Sequence, residues 1–160
     1  MKIWIIYDSR FGNNKQVAEA IGERLQQDND VQVHHAKDVS AKQAIQDMPD
    51  ILIFGGPIHA GMISFTAKTW VASFSRSLRR KGMMLKKVAA WGTHAANPPE
   101  LKGRFSWSSE EEKWKKLMDG VPAEKEMSGI QGLVVTGMPG PLEDGWQDKV
   151  AAFADAINAL

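Results

Sequence analysis

The sequence predicts an α/β protein: a doubly wound, five-stranded parallel sheet with helices on both faces. Three observations predict it. Two apolar runs, Ile3-Trp4-Ile5-Ile6-Tyr7 and Ile51-Leu52-Ile53-Phe54, are continuous rather than alternating. That is how strands buried on both faces read. Stripes at helical spacing lie between the runs, such as Val17, Ala18, Ile21 and Leu25, each able to cover one face of a sheet. Strand and helix patterns alternate along the 160 residues, which calls for right-handed βαβ units.

The elements follow in order. Lys2 to Tyr7 is the first strand, and it stops at the polar loop Asp8 to Asn14. The first helix follows. Val31-Gln32-Val33 alternates, which suits an edge strand. Ala41 to Gln46 is a short helix, and Ile51 to Phe54 is a buried strand ending at Gly55-Gly56-Pro57. A helix runs from about Ser64 to Leu78, with Trp70, Phe74 and Leu78 four residues apart. Lys87 to Trp91 is the fourth strand, ended by Gly92-Thr93. His94 to Met127 is the least regular segment. It holds one short helix, with Ser108 and Glu111 spaced as a capping box, Lys115 and Lys116 four residues after Glu111 and Glu112, and Gly120 and Pro122 as its stop. Ile130 to Thr136 is the last strand. Trp146, Val150, Phe153, Ile157 and Leu160 mark the last helix. No repeat or linker divides the chain, so residues 1–160 read as one domain.

Composition excludes several kinds of chemistry. Hydrophobic residues are 43% and charged residues 24% of the chain, an ordinary globular mix. Twenty Lys and Arg against nineteen Asp and Glu give a net charge of +1, with no general pull on nucleic acid or anionic membrane. There is no cysteine, which removes disulfides, thiolate nucleophiles and cluster ligands. Redox chemistry would therefore need a bound cofactor. No His or carboxylate group has metal-ligand spacing. No apolar run reaches the ~18–20 residues of a membrane span, and the apolar start is too short for a signal peptide. A cytoplasmic location is expected.

The first strand-to-helix turn carries the strongest chemical signal. It holds Ser9, Arg10, Phe11, Gly12, Asn13 and Asn14. Such a turn presents unpaired backbone N–H groups and the positive end of a helix dipole, which together suit a phosphate. Ser9, Asn13 and Asn14 are short hydrogen-bonding side chains, and Gly12 lets the backbone bend closely. Spacing alone equally allows a plain turn and helix cap. The turn lacks the G-x-G-x-x-G of dinucleotide sites and the G-x-x-x-x-G-K-[ST] of triphosphate sites.

Tyr7-Asp8-Ser9-Arg10-Phe11-Gly12-Asn13-Asn14 resembles the phosphate loop of the flavodoxin family, in which an S/T-x-x-G-N-T/N pattern cradles the phosphate of FMN. Ile53-Phe54-Gly55-Gly56-Pro57-Ile58-His59-Ala60-Gly61-Met62 is similar to the family's second flavin loop. Gly132 to Gly137, with Pro141 to Asp144 after it, is similar to the end of flavodoxin domains. Flavodoxin is itself the type example of strand order 2-1-3-4-5 with FMN at the switch point, and the resemblance implies that order here. It also implies bound FMN, with electron transfer through the flavin to a redox partner protein or a small aromatic, quinone-like acceptor. Pro57, Ile58, His59, Ala60 and Gly61 would then flank the isoalloxazine ring. The Gly61 carbonyl would turn toward flavin N5, unless Gly61 is only a loop glycine. Thr93, His94 and Ala95 would occupy the third contact loop.

The sequence departs from carrier flavodoxins in three respects. No Trp or Tyr stands in the second or third loop to stack on the ring, which leaves Ile58, His59 and His94. The chain is nearly neutral, and Asp8 is the sole acid of the three loops. The loop Pro57 to Ser64 is instead similar to flavodoxin-like protoporphyrinogen oxidases, which hand electrons to quinones. An FMN-dependent oxidoreductase therefore stands beside the carrier, with His59 and His94 as candidate proton relays or simply hydrogen-bonded loop residues. Phe105 and Trp107 offer either a cover for the ring or packing for the irregular segment. The rival from another class is a flavin-free interaction domain on the same fold.

Overall fold

The computed structural model describes residues 1–95, 106–136 and 139–159, with the side chains of residues 125–129 left aside. Five parallel strands build the sheet: β1 (Lys2–Tyr7), β2 (Asp30–His35), β3 (Ile51–His59), β5 (Leu85–Ala95) and β6 (Ala123–Val135). The two-residue β4 (Met62–Ile63) folds back antiparallel on the end of β3, with His59 opposite Met62. The order is β2-β1-β3-β5-β6. With the β4 hairpin set aside, this is the expected 2-1-3-4-5 order. Register pairs Ile5 with Val33 on one side and Ile53 on the other, so β1 is central and apolar on both faces.

The helices divide between the two faces. α1 (Asn13–Leu25) and α5 (Trp146–Asn158) cover one face. Their stripes pack Val17, Ile21, Val150 and Phe153 against Ile3, Ile5, Ile53 and Trp91. α2 (Ala41–Asp47), α3 (Phe65–Lys81) and α4 (Trp107–Asp119) cover the other. There Ile45, Trp70, Phe74, Trp114 and Met118 meet Trp4, Ile6, Phe54 and Ala90. Successive strand residues point to opposite faces, which is why Ile5 and Ile6 belong to different cores.

Several boundaries differ from the sequence reading. β3 does not end at Gly55-Gly56-Pro57, and β5 does not end at Gly92-Thr93. Both continue as strands, to His59 and Ala95. Flat indole rings lie on those glycines. A Cβ on Gly55 would stand 2.1 Å from Trp91 Cδ2, and one on Gly92 would stand 2.4 Å from Trp114 Nε1. The glycines make room for tryptophan rather than break the strands. β6 begins at Ala123, earlier than Ile130, and its pairing with β5 slips between Val88 and Ala90. α4 is capped by Ser106, whose hydroxyl accepts from the Ser109 N–H, and not by Ser108 with Glu111. The cap lies two residues earlier because Trp107 is already helical and packs over Gly132 of β6. Lys116 pairs with Glu112 at 3.2 Å as its spacing predicts, whereas Lys115 turns forward to Asp119 at 2.8 Å. Leu160, Phe105 and Gly137 lie outside the described residues. Among the described residues no helix is long and apolar enough to cross a membrane.

Candidate functional site

The start of α1 lies at the C-terminal edge of β1, beside the ends of β3 and β5. Gly12 is its N-cap and adopts φ +93°, a left-handed conformation that favours glycine. Ser9 Oγ accepts a hydrogen bond from the Gly12 N–H at 3.0 Å, which curls the loop back. The first α-helical bond runs from Gln16 N–H to the Gly12 carbonyl. No side chain caps the turn before it, and no acid stands in it. α2, α3 and α4, in contrast, are capped by Ser40, Ser64 and Ser106. α5 also lacks a side-chain cap but carries Asp148 in its first turn. Among the described residues the first N–H groups of α1 thus meet no side-chain cap and no acid, which leaves them open to an anion, and the helix dipole favours one there.

A cleft of about 260 Å³ opens in front of this helix end. Ser9, Arg10, Phe11, Asn13 and Asn14 form one wall. Pro57, Ile58, His59 and Ala60 form the second, with Thr93 and Ala95 at its third side. Eleven of the fourteen residues expected at the site thus share one cleft. Gly12, Gly61 and His94 do not line it. Val135 and Pro139 do, although the sequence reading did not single them out. Their signal was positional: the last strand of such a sheet also ends at the edge where ligands bind.

The side chains divide into a frame and a surface. Asn14 is 3% exposed; its amide Nδ2 donates to Thr93 Oγ1 at 2.8 Å, and its Oδ1 accepts from Trp91 Nε1 at 3.0 Å. It ties the start of α1 to β5, so its side chain is a strut where the sequence suggested a cradle donor. Asn13 Nδ2 donates to the Pro139 carbonyl at 2.9 Å and holds the loop after β6 against the cleft. Arg10 stands over the Phe11 ring at 5.3 Å, which keeps its cation at the mouth.

His94 faces the other way. β5 runs through it, so strand alternation turns His94 from the face that Thr93 occupies. Its ring stacks on Trp107, with centroids 4.7 Å apart and planes at 21°. Burial holds its pKa below the ordinary histidine value. Trp107 is thereby packed against His94 and Gly132, not over the cleft. Gly61 has φ +71°, and its carbonyl accepts from the Lys113 ammonium on α4. Asp8 also points elsewhere. Its carboxylate accepts from Ser64 Oγ at 2.5 Å and lies 3.4 Å from His35 Nε2. No carboxylate lines the cleft among the described residues.

These residues fit a phosphate ester carrying a flat ring. The uncapped, acid-free helix end supplies oriented N–H donors, with the Ser9 hydroxyl and the Arg10 cation beside it. Ile58, Ala60 and Pro57 supply an apolar wall for a ring. FMN has that composition.

Comparison with known proteins agrees in fold. The structure is similar to oxidised flavodoxin 1 from Bacillus cereus, with TM-score 0.72 and 17% identity over 100% of this chain and 99% of that one. It is similar to two-electron reduced flavodoxin from Megasphaera elsdenii, with TM-score 0.64 and 18% identity over 97% and 98% of the two chains. It also resembles rubredoxin oxygen:oxidoreductase from Desulfovibrio gigas, with TM-score 0.67 and 16% identity, covering 99% of this chain but 35% of that one. No curated protein sequence matches the chain. A family model described as flavodoxin domain matches residues 4–120, which includes the first two loops of the cleft and β5. The chain belongs to the flavodoxin family.

Proposed function

We propose that the protein binds FMN non-covalently and transfers electrons through it. Family membership supports an FMN-binding, electron-transfer role in general. The observation that carries it to this cleft is the uncapped N-terminus of α1, open toward the space between the loops of β1, β3 and β5. Ser9, Arg10 and the N–H groups at Asn13 and Asn14 would hold the phosphate. Pro57, Ile58 and Ala60 would bound the ring, and Thr93 would stay fixed by Asn14. Bound FMN supplies transfer of one or two electrons between a donor and an acceptor.

The charge pattern favours paired electrons and an oxidoreductase working on a quinone-like acceptor over a one-electron carrier. Reduction adds negative charge to the cleft. Arg10 and His59 line it, and the one acid of the loops, Asp8, is turned to Ser64 and His35. Negative charge is thus met by cationic or neutral groups rather than repelled. His59 is the histidine of the pair that reaches the cleft, and it is the candidate to hold or move a proton there.

Binding tests the reading directly. Gly12→Val places a branched side chain in a left-handed backbone position, where the added Cβ meets no atom within 4 Å and the strain falls on the loop backbone that presents the helix end. FMN affinity should fall at least tenfold, and riboflavin affinity less than threefold. A variant that binds FMN like the wild type would remove the phosphate site from this loop.

A further inference from the structure

A second, larger groove of about 670 Å³ adjoins the cleft. His59 lines both, so the β3–β4 turn is the shared wall. The groove runs between that turn, the first turns of α3 and the outer side of α4. Ile63 and Leu117 form its apolar floor, and Lys68, Lys113 and Lys116 form its rim. Only Lys116 of the three is paired with a carboxylate among the described residues, Glu112 at 3.2 Å. Lys113 instead donates to the Gly61 carbonyl and holds the turn in place.

Two large apolar side chains stand out of this rim. Met62 is 69% exposed and Phe65 is 80% exposed. Neither belongs to the buried cores of the described residues. Adjacent exposed apolar residues rimmed by polar groups mark an interaction site. The cations lining the groove are Lys68, Lys113 and Lys116, no carboxylate lines it among the described residues, and Glu112 of α4 stands beside it paired to Lys116. Residues 51–99 carry seven Lys and Arg and no Asp or Glu, although the whole chain is balanced at +1. α3 supplies five of those cations, at Lys68, Arg76, Arg79, Arg80 and Lys81, and opens its first turn at the groove.

We propose that this groove docks an acidic partner protein, with Met62 and Phe65 as the apolar contact and Lys68, Lys113 and Lys116 as the cationic rim. Charge complementarity selects the occupant. A ring of lysines around an apolar centre is matched by carboxylates around an apolar patch, and such pairing steers encounter as well as orientation. The site would bring the partner against the turn that carries His59, which also lines the cleft. The purpose of docking there rests on the FMN reading, but the contact itself does not.

The test uses a plant-type ferredoxin as an acidic redox protein and cytochrome c as a basic one. Binding to the full chain is measured by calorimetry at low ionic strength, with and without FMN, whose loading is read separately by visible absorbance. Ferredoxin should bind and cytochrome c should not. Lys68→Glu with Lys116→Glu should weaken ferredoxin binding at least tenfold. Arg76→Glu with Arg80→Glu changes net charge equally on exposed positions of the same helix, two and three turns from Lys68, and should weaken it less than threefold. Phe65→Ser should weaken it at least threefold. Equal loss in the two charge variants, no loss in Phe65→Ser, or no ferredoxin binding would overturn the proposal. Binding to phosphatidylglycerol vesicles in place of ferredoxin would overturn it in favour of a membrane surface. Ferredoxin binding by a chain that takes up no FMN would support the docking site and refute the flavin reading alone.

Discussion

Glu110 has a buried carboxyl whose environment does not suit charge. It is 4% exposed on the inner side of α4, and its Oε2 has no hydrogen-bond partner among the described residues. Burial raises its pKa, and the nearby Lys113 cation only partly opposes this. A raised folded pKa means that the native state binds more protons than the unfolded chain. Stability contributed by the neutral acid is fully present below the ordinary value of 4.5 and is lost as pH rises through the folded value. Glu110→Gln should therefore stabilise the protein at pH 7 by about 1 kcal/mol, the scale of one unsatisfied buried group. The gain should fade below pH 4.5 in denaturant titrations across pH. His94 acts with the opposite sign. Its lowered pKa costs stability as pH falls below the ordinary 6.5, and thermal melts of His94→Gln should lose that part of the acid dependence. A gain from Glu110→Gln that is equal at pH 4 and pH 7 would show that packing, not ionisation, controls the position.

At the scale of the elements, glycine and tryptophan act in pairs. Trp91 lies on Gly55, Trp114 on Gly92 and Trp107 on Gly132. Gly55→Ala would drive a methyl into a fully buried ring, and overpacking of this kind costs about 3 kcal/mol. For a chain of this size that lowers Tm by roughly 6–12 °C. Trp91→Phe in the same chain should restore part of the loss, because the two positions share one contact. Unchanged Tm in Gly55→Ala would mean that the ring can slide aside. These pairs also explain what the sequence made legible. The buried strands and the helix stripes were readable because period and burial are local. The strand ends were not, since Gly55 and Gly92 resemble breaks until a ring from another element is known to cover them. The loops of the cleft were legible from the residues at Ser9 to Asn14 and Pro57 to Gly61. The direction of each side chain was not. Reading β5 as ending at Gly92 hid the alternation that sends Thr93 to Asn14 and His94 to Trp107. β4, at two residues, is too short for any period to show.

At the scale of the whole molecule, charge is sorted although its sum is small. All nineteen acids lie outside residues 51–99, and no described carboxylate lines the cleft. Two sets of cations could act on charge entering that cleft. Arg10 is at its mouth, while Arg76 and Arg80 belong to later turns of α3. Salt separates them. The screening length is about 8 Å at 0.15 M ionic strength and about 30 Å at 0.01 M. At physiological salt the local cation should dominate, and at low salt the distant ones should contribute as well. For the FMN-loaded chain, Arg10→Glu should move the midpoint potential to more negative values at both ionic strengths, since negative charge at the mouth opposes reduction. Arg76→Glu with Arg80→Glu should move it the same way at 0.01 M salt and hardly at all at 0.15 M. A spectroelectrochemical titration reads both effects, and it should follow a single two-electron wave in the wild type. Two well-separated one-electron waves would return the protein to the carrier class. An Arg10→Glu shift no larger than that of the distant pair at physiological salt would show that the cleft is poised by something other than its lining charges.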